Sequence, residues 1–296
     1  MSVAAPGLCS VVVVSADSGP LVRECVGRVL ASSVPVEVVL VDNASTDGEP
    51  EAALAAHAGD ARLRILHQAR NLGFGAACNR GAALARGDAL LFLNPDCLIE
   101  ADTIERLHAV AAGHAQAGLV GVRVEDALGR PERAVRRREP TLRRALMTMS
   151  GLARFEARCP ALAGVAVPAA SMTDGIEVVE AVSGACMYLP RAAFAEVGGF
   201  DEAYFLHAED LDLCRRLRDA GHQVLFAGAI RVRHEQGSSS RHRAGFVARH
   251  KRRSLWRYFN RFDPAARNPL LRVVVRVGLA LHHLAGILWR ALRRVR

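Results

Sequence analysis

The sequence predicts an α/β protein with a mainly parallel, doubly wound sheet and a basic helical extension at its C-terminus. Short runs rich in valine and leucine alternate with segments of helical periodicity through the first 125 residues, which is the pattern of repeated βαβ units. Hydrophobic residues make up 51% of the 296 residues and charged residues 23%, which excludes a disordered chain. After residue 235 the composition changes, because that segment contains 15 Lys and Arg residues but only one acidic residue.

The first half of the chain reads as alternating strands and helices. Apolar residues predict buried strands at Ser10–Val14, Val36–Val41 and Ala89–Leu93, and further strands at Leu63–Leu66 and Leu119–Val124. Helices are predicted after Gly19-Pro20, in the Ala-rich segment after Gly48, and at Leu72–Arg86 and Thr103–Ala112. Parallel strands of this kind place their ligands at the carboxyl ends of the strands.

The second half is less regular. We predict strands at Val182–Leu189 and Val224–Phe226. We predict a short helix after Pro190 and a longer helix at Asp210–Ala220, which Gly221 ends. Beyond the second strand, period-two alternation places Ile230, Val232 and His234 on one apolar face. Residues 126–174 show no clear period and are interpreted as a long excursion. The arginine triplet Arg136–Arg138 in this excursion is typical of a solvated charged face, and contact with an acceptor diphosphate is the alternative.

The seven cysteines are scattered and form no CxxC pair, so we expect reduced thiols in a cytosol rather than disulfides or a zinc site. The uncharged stretch Val277–Trp289 is short for a membrane-spanning helix. The basic extension also contains the aromatic residues Trp256, Tyr258 and Trp289. This combination predicts an amphipathic helix that lies on an anionic membrane surface. The alternative is a helix packed against the body or against a dimer partner. We expect no nucleic-acid partner, because the extension lacks the known recognition motifs and would leave the acids of the body unexplained.

Acidic residues follow two of the predicted strands, Asp42 after the second and Asp96 after the fourth. A Glu209-Asp210 pair and an inward-facing His234 complete the set. Carboxylates and imidazoles bind divalent cations, and a further carboxylate is able to take a proton from an attacking hydroxyl. This division of roles suits transfer of a group from a nucleotide diphosphate to an alcohol.

Four segments in order resemble the family 2 inverting glycosyltransferases of GT-A fold. They are the run 39–48 around Asp42, the run 71–81 beginning Asn71-Leu72-Gly73, the run 91–96 ending Asn94-Pro95-Asp96, and the run 198–216 that contains Gly198-Gly199-Phe200-Asp201 and Glu209-Asp210. The Asn-Pro-Asp form and the basic extension look most like the bacterial rhamnosyltransferase branch, whose members use dTDP-rhamnose.

The resemblance implies a role for each matching residue. Asp210, with Glu209 beside it, would be the catalytic base. Asp96 and His234 would hold Mg²⁺ or Mn²⁺ on the diphosphate. The nucleotide-sugar would be bound by Ser15, Asp42, Arg70, Asn71, Gly73, Asn94, Asp96, Ser183 and Gly184. Two positions depart from the family pattern: Asn94 replaces an acid of the metal motif, and Ala16-Asp17 stands where Tyr-Asn is usual.

We therefore expect a GT-A catalytic domain over residues 1–235, with a nucleotide-binding half at about 1–125 and an acceptor half at about 126–235, and a basic extension over 236–296. The expected activity is inverting transfer of a sugar, preferably rhamnose from dTDP-rhamnose, to a lipid-linked or polysaccharide acceptor. The protein would lie on the inner face of the plasma membrane and could form a homodimer. A UDP- or GDP-sugar donor is the alternative. A sugar nucleotidyltransferase is disfavoured, because the loop Ser15–Gly19 carries no basic residue.

Overall fold

The computed structural model describes residues 7–132, 135–235 and 244–294, which form a mixed sheet covered by helices. The strands are β1 (Cys9–Ser15), β2 (Val36–Asp42), β3 (Leu63–His67), β4 (Ala89–Leu93), β5 (Cys97–Leu98), β6 (Ala117–Glu125), β7 (Arg136–Arg137), β8 (Ile176–Val178), β9 (Ala181–Val182), β10 (Cys186–Pro190) and β11 (Gln223–His234). The helices are α1 (Leu21–Leu30), α2 (Glu49–Ala56), α3 (Phe74–Leu84), α4 (Thr103–Ala112), α5 (Leu142–Met149), α6 (Arg191–Glu196), α7 (Glu209–Asp219), α8 (Ala244–Phe262) and α9 (Pro269–Arg294). Short 3₁₀ turns lie at Leu152–Phe155, Pro160–Leu162, Ala169–Ser171 and Pro264–Arg267.

The main sheet has the strand order β3-β2-β1-β4-β10-β6-β11-β5, with β8 paired to β11. β1 lies between β2 and β4 and is parallel to both, as the βαβ pattern predicts. β10 enters between β4 and β6 and is antiparallel to both, so the sheet is mixed at its centre. The carboxyl ends of β1, β2 and β4 consequently meet at one edge, where the polar loops after them lie side by side.

The predicted buried strands form the core because both of their faces are covered. Val11–Val13 in β1 and Val38–Val41 in β2 are at most 1% exposed. α3 packs closely on these strands, since a Cβ atom added at Gly81 would lie 2.4 Å from a methyl group of Val12. This rigid sheet holds the loops of its carboxyl edge in place.

Two predicted strands have different bounds in the structure. The run Val182–Leu189 is not one strand but two, because Ser183–Ala185 leaves the ladder between β9 and β10. In that loop the Ser183 amide donates to the Val135 carbonyl at 3.0 Å. Conversely, Val224–Phe226 and the alternating residues up to His234 belong to one strand, β11, whose register shifts between Ala227 and Arg231.

The interpretation of the arginine triplet Arg136–Arg138 as a solvated face is wrong. Arg136 is 3% exposed, pairs with Glu177 at 2.5 Å and lies over the ring of Phe226. Arg136 and Arg137 form β7, which makes a small second sheet with β9, and Arg138 follows directly after it. The partners lie far away in the sequence, so a local charge pattern does not reveal that Arg136 is buried and that Arg137 and Arg138 are half-buried.

α8 packs against the body of the protein. Tyr258 and Phe259 are buried, Ser254 Oγ donates to the Leu206 carbonyl at 2.9 Å, and Arg261 contacts Asp201 at 2.6 Å. The division into 1–235 and 236–296 stays a prediction, because residues 236–243 lie outside the described residues. The side chain of Trp289 also lies outside the part of the chain that the structure describes. Within the described residues, no helix combines the length and the apolar character needed to cross a bilayer.

Candidate active site

A cavity of about 550 Å³ opens where the carboxyl ends of β1, β2 and β4 face the start of α7. The structure brings nine of the predicted site residues to its wall: Asn71, Gly73, Asn94, Asp96, Ser183, Gly184, Glu209, Asp210 and His234. They come from separate loops along the chain, and the sheet unites them. The cavity also has an aromatic side, since Phe205 and Phe246 line it with ring centroids 5.6 Å apart.

Three of the predicted residues do not line this cavity. Ser15 is fully buried at the end of β1, and Arg70 is exposed. Asp42 is buried, where it accepts a hydrogen bond from the Ser45 amide at 2.8 Å and contacts His67 Nδ1 at 3.1 Å. Asp42 therefore caps the turn that follows β2, and the contact of these three residues with a nucleotide stays a prediction.

Asn43 lines the cavity and was missed by the sequence reasoning. Its Oδ1 accepts from the Leu72 amide at 2.9 Å, and its Nδ2 donates to Asn71 Oδ1 at 3.1 Å and to the Gly73 carbonyl at 3.3 Å. Asn43 thus ties the loop after β2 to the loop before α3. The only sequence signal was its position directly after Asp42.

Gly73 lies at a close approach between two loops of the site. Its φ is +86°, and a Cβ atom there would lie 2.3 Å from the Phe205 carbonyl oxygen. The Phe74 amide donates to that same carbonyl at 3.0 Å. A side chain at this position would push apart the segment that leads into Glu209 and Asp210.

We expect Gly73→Ala to lower the free energy of unfolding more than Gly59→Ala does. Gly59 has the same positive φ, +87°, but nothing within 4 Å of the added atom. Gly59→Ala measures the backbone strain, about 1–2 kcal/mol. Gly73→Ala adds the steric overlap, a further ~1–3 kcal/mol. Urea unfolding of both variants checks this; equal losses would show that the loops yield freely.

Asp96, His234 and Glu132 form a line of hydrogen bonds at one side of the cavity. His234 Nε2 lies 3.0 Å from Asp96 Oδ1, and His234 Nδ1 lies 2.9 Å from Glu132 Oε1. Burial would lower the pKa of His234, but its hydrogen bonds to the two carboxylates raise it to about 10. Glu132 fixes the orientation of the ring. Nothing in the sequence around Glu132 pointed to this role.

The Glu209-Asp210 pair begins α7 after a strained turn. His207 and Ala208 both adopt positive φ, +66° and +67°, although neither is glycine. Burial, reinforced by the neighbouring Asp210, raises the pKa of Glu209 to about 8. Burial therefore favours the protonated form of Glu209 at neutral pH.

Asp210 is held by groups from two other segments. Its Oδ2 accepts from the Gly184 amide at 3.0 Å and contacts the guanidinium of Arg137. The glycine permits this approach, since a Cβ atom there would lie 3.2 Å from Oδ2. Burial opposes the charge on Arg137, but the contact with Asp210 raises its pKa. The site thus contains a cation that sequence reasoning placed on the surface.

Residues 6–258 match the family model described as glycosyltransferase like family 2. The chain belongs to glycosyltransferase family 2. Its sequence is 33% identical over 284 residues to the N-acetylglucosaminyl-diphospho-decaprenol L-rhamnosyltransferase of Mycobacterium tuberculosis, which covers 92% of this chain and 90% of that enzyme. The predicted glycosyltransferase activity is thereby confirmed at the level of the family.

Solved structures confirm the GT-A fold of this glycosyltransferase. A mannosyltransferase from Pyrobaculum calidifontis, in complex with GDP-Man and Mn²⁺, has a TM-score of 0.59 at 18% identity, covering 96% of this chain and 75% of that one. GalNAc-T7 with UDP, GalNAc and Mn²⁺ has a TM-score of 0.61 at 17% identity, covering 88% and 50%. At these identities the likeness is one of fold.

Proposed function

We propose that this glycosyltransferase moves an L-rhamnosyl group from dTDP-rhamnose to a sugar that is linked through a diphosphate to a polyprenol. The observation that carries the proposal is one cavity whose wall holds Glu209 and Asp210 together with Asp96 and His234. The name of the mycobacterial relative supports the transferred sugar and the acceptor class, and the dTDP carrier rests on the family resemblance.

The proposed reaction is a single in-line displacement at the anomeric carbon. Asp210 takes the proton of the acceptor hydroxyl, while the nucleoside diphosphate leaves on the opposite side with the electrons of the glycosidic bond. The configuration of the sugar is inverted. The backbone amide of Gly184 keeps the carboxylate of Asp210 facing the cavity, and Asn43 keeps the two nucleotide-side loops together.

The donor atoms around Asp96 fit a divalent cation. Within the described residues, Asp96, Cys97 and His234 form a cluster whose ligand atoms lie within 4.8 Å of one another. A carboxylate and an imidazole suit Mn²⁺ or Mg²⁺, and the Glu132 carboxylate behind His234 is the usual support of a metal-bound histidine. When bound by Asp96 and His234, the ion would supply positive charge to the departing diphosphate. Asn94 contributes no charge, so these two residues carry the site.

We expect Glu132→Gln to weaken Mn²⁺ binding about 10–100-fold, because the amide supports the His234 ring less firmly than the carboxylate does. Calorimetric titration of Mn²⁺ in the presence of dTDP measures this directly. Glu235→Gln is the matched control, since Glu235 pairs with Arg233 at 2.8 Å beside the same strand end. Equal affinities in the two variants would remove Glu132 from the site.

The α9 helix supports the proposed attachment to the inner membrane face. Its exposed apolar residues recur at helical spacing and form one stripe: Leu270, Val273, Val274, Val277 and Leu281, each at least 50% exposed. Arg272 and Arg276 lie on the same exposed helix, and Arg276 is 5.9 Å from the ring of Trp256. An apolar stripe beside arginines suits an anionic lipid surface.

We expect the double variant Arg272→Gln, Arg276→Gln to bind anionic vesicles more weakly. Each basic side chain near such a surface contributes about 1 kcal/mol, which is about fivefold in affinity. The control Arg28→Gln, Arg106→Gln removes the same charge from α1 and α4. Co-sedimentation with phosphatidylglycerol vesicles measures both. If the control loses as much affinity as the α9 variant, net charge rather than α9 binds the lipid.

The test of the donor is a transfer assay on purified protein with an N-acetylglucosaminyl-diphospho-prenol acceptor and Mn²⁺. We expect product from dTDP-rhamnose, and much less from UDP- and GDP-sugars. Product from a UDP- or GDP-sugar alone would overturn the proposed donor while leaving the glycosyltransferase activity intact.

A further inference from the structure

The arginine triplet sends only its middle member into the active-site cavity. Arg136 pairs with Glu177 and Arg138 pairs with Glu156 at 3.0 Å, and neither lines the cavity. Arg137 lines the cavity, where its guanidinium contacts Asp210 and donates to the Val182 carbonyl at 2.5 Å.

Strand pairing explains this arrangement. β7 pairs with β9 in antiparallel register, Arg136 opposite Val182 and Arg137 opposite Ala181. Since successive side chains of a strand point to opposite faces, Arg136 and Arg138 lie on one face and Arg137 on the other. The chain continues from β9 directly into Ser183 and Gly184, which line the cavity. The pairing therefore places Arg137 at the reacting end of the site.

A guanidinium at this position needs an explanation in terms of the reaction. The guanidinium of Arg137 donates a hydrogen bond to Asp210 Oδ2, which also accepts one from the Gly184 amide. In the proposed reaction, however, the carboxylate of Asp210 must receive a proton from the acceptor. The Nε atom of Arg137 is buried and has no hydrogen-bond partner among the described residues. Arg137 thus has donor capacity that its present contacts leave unused.

We propose that Arg137 binds the pyrophosphate of the acceptor and releases Asp210 as it does so. The inference rests on the proposed function, in which the acceptor sugar carries a pyrophosphate. A planar guanidinium with several donors matches phosphate oxygens in a bidentate manner. The donor also carries a pyrophosphate, but Arg137 begins in contact with the residue that faces the acceptor hydroxyl. Only one sugar ring separates that hydroxyl from the acceptor pyrophosphate.

The test compares two acceptors that bear the same sugar, one on a prenyl pyrophosphate and one on a neutral alkyl chain. We expect Arg137→Gln to raise the KM for the pyrophosphate acceptor and to reduce the enzyme's preference for it, as a ratio of kcat/KM, by about ten- to hundredfold, the effect of losing a charged hydrogen bond. Arg137→Lys keeps the positive charge but lacks the planar guanidinium, so its acceptor preference should lie between those of the wild type and Arg137→Gln. Arg130→Gln is the control, since Arg130 pairs with Asp126 on the same excursion outside the cavity.

A binding measurement separates the possible sources of the pyrophosphate and does not depend on transfer. We expect Arg137→Gln to weaken the binding of geranyl pyrophosphate about ten- to hundredfold, while the affinity for dTDP stays as in the wild type. Loss of dTDP affinity with geranyl pyrophosphate unaffected would assign Arg137 to the donor and overturn the inference. So would an equal loss of kcat/KM for the two acceptors. If the wild type transfers to neither acceptor, the proposed function fails, and the binding measurement still decides the role of Arg137.

Discussion

Asp210→Asn should lower kcat about 10²–10⁴-fold, the usual contribution of a positioned general base. Asparagine has the same shape and is able to accept the Gly184 amide, but it is unable to take a proton from the acceptor hydroxyl. The affinity for dTDP should remain, because Asp96 and the loops after β2 and β4 lie on the other segments of the cavity wall. Steady-state transfer kinetics and a dTDP titration measure the two effects.

The matched control is Asp219→Asn at the end of the same helix. Asp219 is 52% exposed and pairs with Arg215 at 2.8 Å, so the substitution removes one carboxylate from α7 without reaching the cavity. A second measurement, thermal unfolding, detects any loss of folding from the unpaired Arg137. An Asp210→Asn variant that folds, binds dTDP and keeps the wild-type kcat would remove Asp210 as the base.

The core of the fold was predictable because its strands are buried on both faces. β1, β2 and β4 read as largely apolar runs, which predict buried strands, and the βαβ order predicts that they are parallel. The direction of β10 was not predictable, since an apolar run says nothing about the neighbour with which it pairs. The break at Ser183–Ala185 was missed for a related reason. Small residues fit a strand as well as a loop, and only the tertiary contact with Val135 decides between them.

The site was predictable where sequence motifs placed acids next to strand ends or helix starts. Asp96, His234 and the Glu209-Asp210 pair reach the cavity as expected. Glu132 was missed, and Arg137 was not singled out from its triplet, because both lie in the excursion 126–174, which has no periodicity of its own. Their roles depend on contacts over 102 residues to His234 and 73 residues to Asp210. A charge run is interpreted by default as solvated, and its buried partners appear only in three dimensions.

Glu209 gives the prediction that most directly tests the electrostatics of the site. Burial beside Asp210 raises the pKa of Glu209 from its ordinary 4.5 to about 8. Between these two values the unfolded chain has released the proton and the folded protein has kept it. The folded state thus binds more protons, and its free energy of unfolding falls as the pH rises through this window.

Glu209→Gln removes that dependence, because glutamine has a similar shape and no proton to lose. We expect the variant to gain stability relative to the wild type progressively from pH 5 to 8, reaching roughly 4 kcal/mol at the upper end. Urea unfolding at a series of pH values measures the difference, with the exposed Glu105→Gln as control. A difference that does not vary with pH would mean that Glu209 is already ionised in the fold. Glu209 would then also be a carboxylate able to accept a proton, and the catalytic base could no longer be assigned to Asp210 rather than Glu209.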